Sequence, residues 1–335
     1  MMGVTMRAAW YEQQGPASEV LQVGELPAPE PGPGDVRVRL HLSGINPGDT
    51  KKRSGWLNST MTYPRVIPHS DGAGVVESVG AGGDPGRVGS RVWVWGAQSY
   101  RASGTAAQFT VVPDDHAVDL PDEVADEVGA SLGIPGITAH RAVFGDGPVA
   151  GSTVLVQGVL GGVGSLAAQL ARWGGATVIG TVRRTADLER VERSTVTHAV
   201  ALEGSDAADR IRAHAPDGVD RVIEVSLSDN ADLDTSVLTV GGVIAAYASR
   251  LDRPELPFWP LLFSNITLRL LGSDDFPAAA KLQAADDLTS AAREGALSIP
   301  IAETLPLELI ADAHDRADGG GGGRVLLTIP RAGGS

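Results

Sequence analysis

Val154-Leu155-Val156-Gln157-Gly158-Val159-Leu160-Gly161-Gly162-Val163-Gly164 is the stretch that decides the fold. A short apolar run opens into a loop with glycine at 158, 161, 162 and 164. The next residues, Gly162–Trp173, place Val163, Leu166, Ala167, Leu170 and Ala171 along one helical face. A second apolar run, Thr177-Val178-Ile179-Gly180-Thr181-Val182, follows at the distance expected of a strand–helix–strand unit. Glycines at such a loop let backbone approach a pyrophosphate closely, and the helix start offers free N–H groups and a positive dipole end. Three spaced glycines alone are a weak signal in a chain with 43 of them; the flanking strands and helix strengthen it. The plainer alternative is a structural loop with no ligand.

The end of the second strand bears on which dinucleotide fits. Sites specific for NAD carry a carboxylate there to accept from the ribose 2′-hydroxyl. Here the chain reads Thr181-Val182-Arg183-Arg184. Two guanidiniums suit the 2′-phosphate of NADPH, because arginine binds phosphate oxygens through a planar fork; the alternative is a pair of solvated arginines. Thr181, beside the loop, joins Arg183 and Arg184 as a candidate contact.

Downstream, apolar strand patterns recur at 221–225, 243–246 and 266–271, with helical stretches between. Alternating strand and helix predicts a parallel sheet covered on both faces. An Ala-rich helix is expected over 277–293, a shorter one over 307–317 and a strand over 324–329. The glycine run at 319–323 is either a flexible linker or a tight turn near a ligand, and Arg324 after it is a third candidate phosphate contact.

Upstream, residues 7–120 read as short strands broken by Gly and Pro. Val36-Arg37-Val38-Arg39-Leu40-His41-Leu42 alternates apolar and polar, the period of a half-buried strand, and further strands are expected at 74–79, 91–95 and 108–112. Pro27, Pro29, Pro31 and Pro33 mark a rigid loop before them, and 122–132 is compatible with a helix. Trp56, Trp93, Trp95 and Trp259 are candidates for an aromatic wall, with core packing the main alternative.

Composition narrows the function. The chain has 335 residues, 42% hydrophobic and 20% charged, enough for two ordinary soluble domains. With 27 Lys and Arg against 41 Asp and Glu, the formal charge is −14, which repels nucleic acid. There is no cysteine, so disulfides, thiol nucleophiles and thiolate zinc sites are excluded. No apolar run reaches the length of a membrane span, and the start lacks the order of a secretory signal, so a cytoplasmic location is expected.

Four segments in order resemble one family: Gly44-Ile45-Asn46-Pro47-Gly48-Asp49-Thr50; the run from Pro68-His69-Ser70-Asp71-Gly72 to Gly80; Gly133-Ile134-Pro135-Gly136-Ile137-Thr138-Ala139; and the glycine loop itself. Together they are similar to the zinc-free, zeta-crystallin-like quinone oxidoreductases of the medium-chain dehydrogenase/reductase superfamily. The resemblance implies an α/β fold in which a Rossmann doubly wound parallel sheet (125–274) is inserted in a β-rich GroES-like catalytic domain (1–124 and 275–330). It implies NADPH as cofactor and no metal, since zinc-dependent relatives place Cys where Asn46 stands and His where Ser70 stands. His69, one place off, is then structural or solvent-facing.

The resemblance also assigns contacts. Leu160, Gly161, Gly162 and Val163 correspond to pyrophosphate contacts, and Arg183 falls near the adenosine phosphate. Ala246, Tyr247, Ala248 and Ser249 correspond to the turn beside the nicotinamide, with Ser273, Asp274 and Asp275 closing over it. Asn46 and Thr138 line its cleft. Lys51 stands where the family has a cofactor-contacting Tyr; it pairs with a phosphate or an acidic substrate, or is simply solvated. The implied reaction is hydride transfer to a quinone or an α,β-unsaturated carbonyl, with Asn46, Thr138, Lys51 and Tyr247 as candidate donors to an enone oxygen. A rival of another class is an NADPH-binding protein with little catalysis. Relatives pair through an edge strand, here 266–271, so a homodimer is expected.

Overall fold

The computed structural model describes residues 4–320 and 322–331. Part of the glycine run, Gly321, therefore lies outside the described residues, as do the first three residues. The strands in chain order are β1 (Thr5–Trp10), β2 (Gln22–Pro27), β3 (Asp35–Gly44), β4 (Asp71–Val79), β5 (Arg91–Val94), β6 (Phe109–Pro113), β7 (Ala117–Asp119), β8 (Thr153–Val156), β9 (Thr177–Val182), β10 (His198–Ala201), β11 (Val219–Glu224), β12 (Leu238–Ala246), β13 (Thr267–Leu270), β14 (Ile301–Pro306) and β15 (Arg324–Thr328). They fall into two units, one up to Pro135 and again from Ser298, the other Gly136–Leu297.

The first unit is built around β3. It pairs antiparallel with β4, β6 and β15, and the larger sheet runs β14-β15-β3-β4-β5-β7 with β6 off that path; β1 and β2 form a separate ribbon. The alternation read from residues 36–42 is realised: Val36, Val38, Leu40 and Leu42 are buried while Arg37, Arg39 and His41 are half-exposed. Val36, Val38 and Leu40 join Val76, Val92, Val112 and Leu327 in one core. The return of the chain end is also realised, since β15 pairs with β3. Two local expectations fail. Residues 122–132 hold only a short helix, Asp126–Gly129, followed by turns. Its last residue is Gly129, where a side chain would strike Leu120. The helix Pro47–Ser54 was not expected; Asn46 and Asp49 cap it reciprocally and Gly55 ends it at φ 75°.

The second unit is one parallel sheet in the order β10-β9-β8-β11-β12-β13. Counted from β8, that is 3-2-1-4-5-6, the doubly wound arrangement whose ligand crevice lies at the carboxyl ends of the first and fourth strands. Val154, Leu155, Val156, Val178, Ile179, Val222, Ile223 and Ile244 are fully or almost fully buried, as strands covered on both faces require. The helix Ala278–Arg293, expected with the β-rich part, packs in this unit instead. Leu288 lies close against Gly136, and Asp287 accepts from His140 at 2.7 Å. The unit boundaries accordingly fall after Pro135 and Leu297 rather than after 124 and 274. Among the described residues no helix is long and apolar enough to cross a membrane.

Candidate active site

In the parallel-sheet unit the glycine loop leaves β8 and turns back at Gly158, whose φ of 68° suits glycine. Gly161 N–H closes the turn on Gly158 O at 2.9 Å, and Gly161 becomes the N-cap of the helix Gly162–Trp173. A Cβ on Gly164 would lie 2.4 Å from Gly158 O, so glycine is required for the helix to sit this close to the loop. No side chain caps the helix. Its first free N–H groups, at exposed Gly162 and half-buried Val163, therefore fit an anion. Dinucleotide phosphates fit this cradle on two counts: an uncapped helix start, and room that side chains would fill.

The other expected contacts of this unit gather where the remaining parallel strands end. Arg183 and Arg184 directly follow β9 and are exposed. Arg184 pairs with Asp187 at 3.2 Å, and Arg190 shares that carboxylate at 3.0 Å. Among the described residues nothing engages Arg183. Thr181 is corrected: its side chain is fully buried and faces inward, donating to Gln157 Oε1 at 2.6 Å and accepting from Gly158 N–H at 3.2 Å. It shapes the loop from beneath and has no hydroxyl to offer a cofactor. Beyond β12, buried Ala246 leads into Tyr247, Ala248 and Ser249; Tyr247 N–H donates to Glu224 O at 3.0 Å and Ala248 O accepts from Leu227 N–H at 3.2 Å. The Tyr247 hydroxyl is held protonated by burial and by the Glu224 charge. Ser273, Asp274 and Asp275 form a short 3-10 turn after β13, steadied by Lys281 on Asp274 O at 2.6 Å. Thr138 is buried on the helix Ile134–Phe144.

In the β-rich unit a second cluster surrounds Asn46. Its Oδ1 accepts from Arg324 Nη1 at 2.7 Å and its Nδ2 donates to Asp71 Oδ2 at 2.7 Å. Asp71 also accepts from Ile134 N–H at 2.8 Å, and Arg324 donates to Ile45 O at 2.9 Å. Asn46, Asp49, Asp71 and Arg324 are all buried. Burial and the nearby Asp71 charge push the Asp49 carboxyl up to about 7. Arg324 is thus corrected: it is no exposed phosphate clamp but the internal partner of Asn46, with Nη2 3.6 Å from Asp71 Oδ2. Its Nε and Nη2 are buried without a hydrogen-bond partner, leaving donor capacity beside the Asn46 amide. Lys51 stands apart from this cluster, its ammonium 4.4 Å from the centre of the Trp56 ring.

Behind Asn46 a buried polar chain continues. Ser43 Oγ meets His69 Nδ1 at 2.8 Å and Thr105 Oγ1 at 2.7 Å, and His69 Nε2 meets His314 Nε2 at 2.9 Å. His69 is fully buried at φ 75°, so of the two expectations for it the structural one holds. Ser70 is fully buried as well, and among the described residues no three His, Cys, Asp or Glu side chains converge as a metal site would require. The tryptophans form no common wall. Trp93 is core, Trp95 stacks on His116 at 3.5 Å, and Trp56 and Trp259 are largely exposed.

Asp71, Gln157, Glu224, Asp234 and His314 were missed as site residues. The signal for two of them was present: Gln157 directly follows the apolar run Val154–Val156 and Glu224 directly follows Val222 and Ile223, and a polar group buried there must have a partner.

Comparison with known proteins places the chain. A model of the alcohol dehydrogenase GroES-like domain matches residues 32–122, and one of the zinc-binding dehydrogenase matches 162–285. The human quinone oxidoreductase is 31% identical over 330 residues, 95% of this chain and 96% of that protein. The chain belongs to the quinone oxidoreductase family of the medium-chain dehydrogenases/reductases. Among solved structures, AibC superposes with a TM-score of 0.86 at 25% identity, covering 98% of this chain and 97% of its own. A mycobacterial protein solved with NADPH gives 0.82 at 26% identity, covering 97% and 100%. The family member described here is thus an oxidoreductase built for a nicotinamide cofactor, and its fold is the one expected.

Proposed function

We propose that this oxidoreductase uses NADPH, without zinc, to reduce a quinone or a related conjugated carbonyl. The observation that carries the reading is the end of β9, where an exposed, unengaged Arg183 stands in place of the carboxylate of NAD-specific sites. The bound nicotinamide supplies the hydride; the protein supplies position and electrostatics. The uncapped start of the helix Gly162–Trp173 holds the pyrophosphate, and the turns at 246–249 and 273–275 flank the nicotinamide. The metal-free reading is supported by Asn46, whose amide is tied on both sides to the Arg324–Asp71 pair.

A quinone takes protons from water and needs no strong acid. One observation favours an enone as the second reading. Arg324 and Asp71 fix the Asn46 amide so that one Nδ2 hydrogen remains for a carbonyl oxygen.

Steady-state turnover of a quinone panel and an enone panel with NADPH and NADH tests this. Quinone turnover with NADPH is expected, and metal analysis is expected to find no stoichiometric zinc. Turnover of enones alone selects the second reading, and tight NADPH binding with no turnover selects a binding protein. Arg183→Ala is expected to raise the KM for NADPH roughly 10- to 100-fold, the worth of one charge-assisted hydrogen bond, and to leave NADH unchanged. Equal losses for both cofactors would remove Arg183 from the phosphate site.

The homodimer reading rests on the open edge of β13. Beside it lie exposed Val240, Leu270 and the helix Phe258–Phe263, with Phe263 at 74% exposure. Such a surface beside an unpaired strand is suited to a second copy.

A further inference from the structure

Two carboxyl groups with no exposure lie beneath the carboxyl ends of the parallel strands, and the reaction as described leaves them without a role. Glu224 ends β11. Its carboxylate accepts from Ser226 N–H, and from Asn230 Nδ2 at 3.1 Å to each oxygen. Asp234, on the helix Leu227–Val237, accepts from Gln157 Nε2 at 2.7 Å through Oδ1. Its Oδ2 is buried with no donor pointing at it. The charged neighbour of the Asp234 carboxyl is Glu224, another acceptor. Two ionised carboxylates cannot share such a place; one proton between them turns the orphaned oxygen into a donor.

The chain of hydrogen bonds then has a single direction. Gly158 N–H donates to Thr181 Oγ1, and Thr181 donates to Gln157 Oε1, which fixes the amide so that Nε2 faces Asp234. Asp234, carrying the proton, donates to Glu224. Glu224 holds the first turn of the following helix through Ser226 and Asn230, and its backbone oxygen holds Tyr247. The glycine loop after β8 and the turns after β11 and β12 are thereby joined at one buried point.

We propose that Glu224 and Asp234 are positioning residues for the dinucleotide, a single proton between them locking the glycine loop to the turn beside the nicotinamide. The proposal rests on the nicotinamide-cofactor reading of this unit. Burial and the Glu224 charge push the Asp234 carboxyl well above its ordinary value, the direction that favours a shared proton. No cation on the neighbouring elements offsets the pair among the described residues. Arg212 donates to Ser236 O and pairs with Asp209, Arg210 donates to Ala201 O and Glu203 O and pairs with Asp206, and Arg221 is engaged with Val143 O. On the same helix Asp229 pairs with Arg250, Tyr247 lies beside Glu224, and on the preceding helix His214 stacks on His198. Loss of the proton at alkaline pH therefore leaves two buried charges and an open lock. Binding that needs this proton weakens about tenfold per pH unit beyond the pKa of the pair.

The test compares the full-length protein with Asp234→Asn and Asp234→Ala by NADPH fluorescence titration and thermal unfolding from pH 6 to pH 10. Asn presents its oxygen to Gln157 and a permanent N–H to Glu224, in place of the protonated acid. The wild type is expected to lose NADPH affinity about tenfold or more at the alkaline end, while Asp234→Asn stays within about threefold of its neutral value. Asp234→Ala should bind weakly at every pH and melt lower. Superimposable pH profiles for wild type and Asp234→Asn, or an Asp234→Asn as weak at pH 7 as Asp234→Ala, would overturn the proposal alone. A wild type that binds neither NADPH nor NADH at any pH overturns the proposal together with the cofactor reading beneath it.

Discussion

Asn46 shows how one side chain is given its orientation by its neighbours. A free asparagine amide rotates and can exchange its two ends; here Arg324 marks the oxygen end and Asp71 the nitrogen end. The pair that does so is buried on both sides, with Asp71 at 0% exposure. Buried ion pairs add little net stability, yet removing one partner strands the other charge. Arg324→Met is therefore expected to cost roughly 3–5 kcal/mol, read by urea unfolding. Adding Asp71→Asn removes the stranded charge and should recover more than about 1 kcal/mol, a coupling that independent sites would not show. Strict additivity of the two substitutions would mean that the pair does not interact. Lys51 illustrates the opposite case, a charged side chain whose ammonium lies over the ring of Trp56.

At the scale of elements, the link between the segment before β4 and the C-terminal helix Ile310–Gly319 is the histidine pair His69–His314. Burial lowers His314 to about 3, and His69 well below its ordinary value. Both are neutral in the fold. In the unfolded chain each takes a proton near pH 6.5. Between pH 6.5 and about 3 the unfolded state thus binds more protons at His314, so this residue's contribution to stability falls as pH falls through that window. His314→Gln keeps an amide donor for His69 and removes the titration. Relative to that variant, the wild type should lose on the order of 1.4 kcal/mol per pH unit below 6.5, measured by urea unfolding at pH 7.5, 6 and 5. A wild-type-to-variant difference that is independent of pH would show that His314 is not kept neutral by the fold. Asp49 works in the other sense: its raised value of about 7 makes the fold hold a proton that the unfolded chain has lost, so its contribution falls as pH rises from 4 to 7.

For the whole molecule, the strongest expectation concerns assembly. β13 is the last strand of its sheet, and Leu270 beside the helix Phe258–Phe263 leaves apolar surface next to that edge. Light scattering is expected to give twice the mass of one chain, and Phe263→Glu with Leu270→Lys to give one chain's mass while the fold, by circular dichroism, persists. A wild-type mass equal to one chain would remove the dimer. The fold was legible because its signals are periodic: strand–glycine loop–helix–strand around Gly158, and alternation over 36–42, each repeating a local pattern that needs no partner to be read. The glycine loop and the helix it opens were legible for the same reason. Less so were Thr181, Arg324, Glu224 and Asp234. Thr181 lies in the right strand but faces the wrong way, and Arg324 follows a glycine run but reaches Asn46 across 278 positions of chain. Burial and pairing of polar groups depend on which strands become neighbours, and that is settled by the sheet order, not by spacing along the chain. The sequence by itself determined the doubly wound unit, the family, and the glycine loop that opens the helix Gly162–Trp173, because backbone periodicity and glycine sterics are local. Only the tertiary structure decided which carboxyl shares a proton, which arginine orients Asn46 and which histidine stays neutral, because those states are set by desolvation and by partners brought together from distant strands.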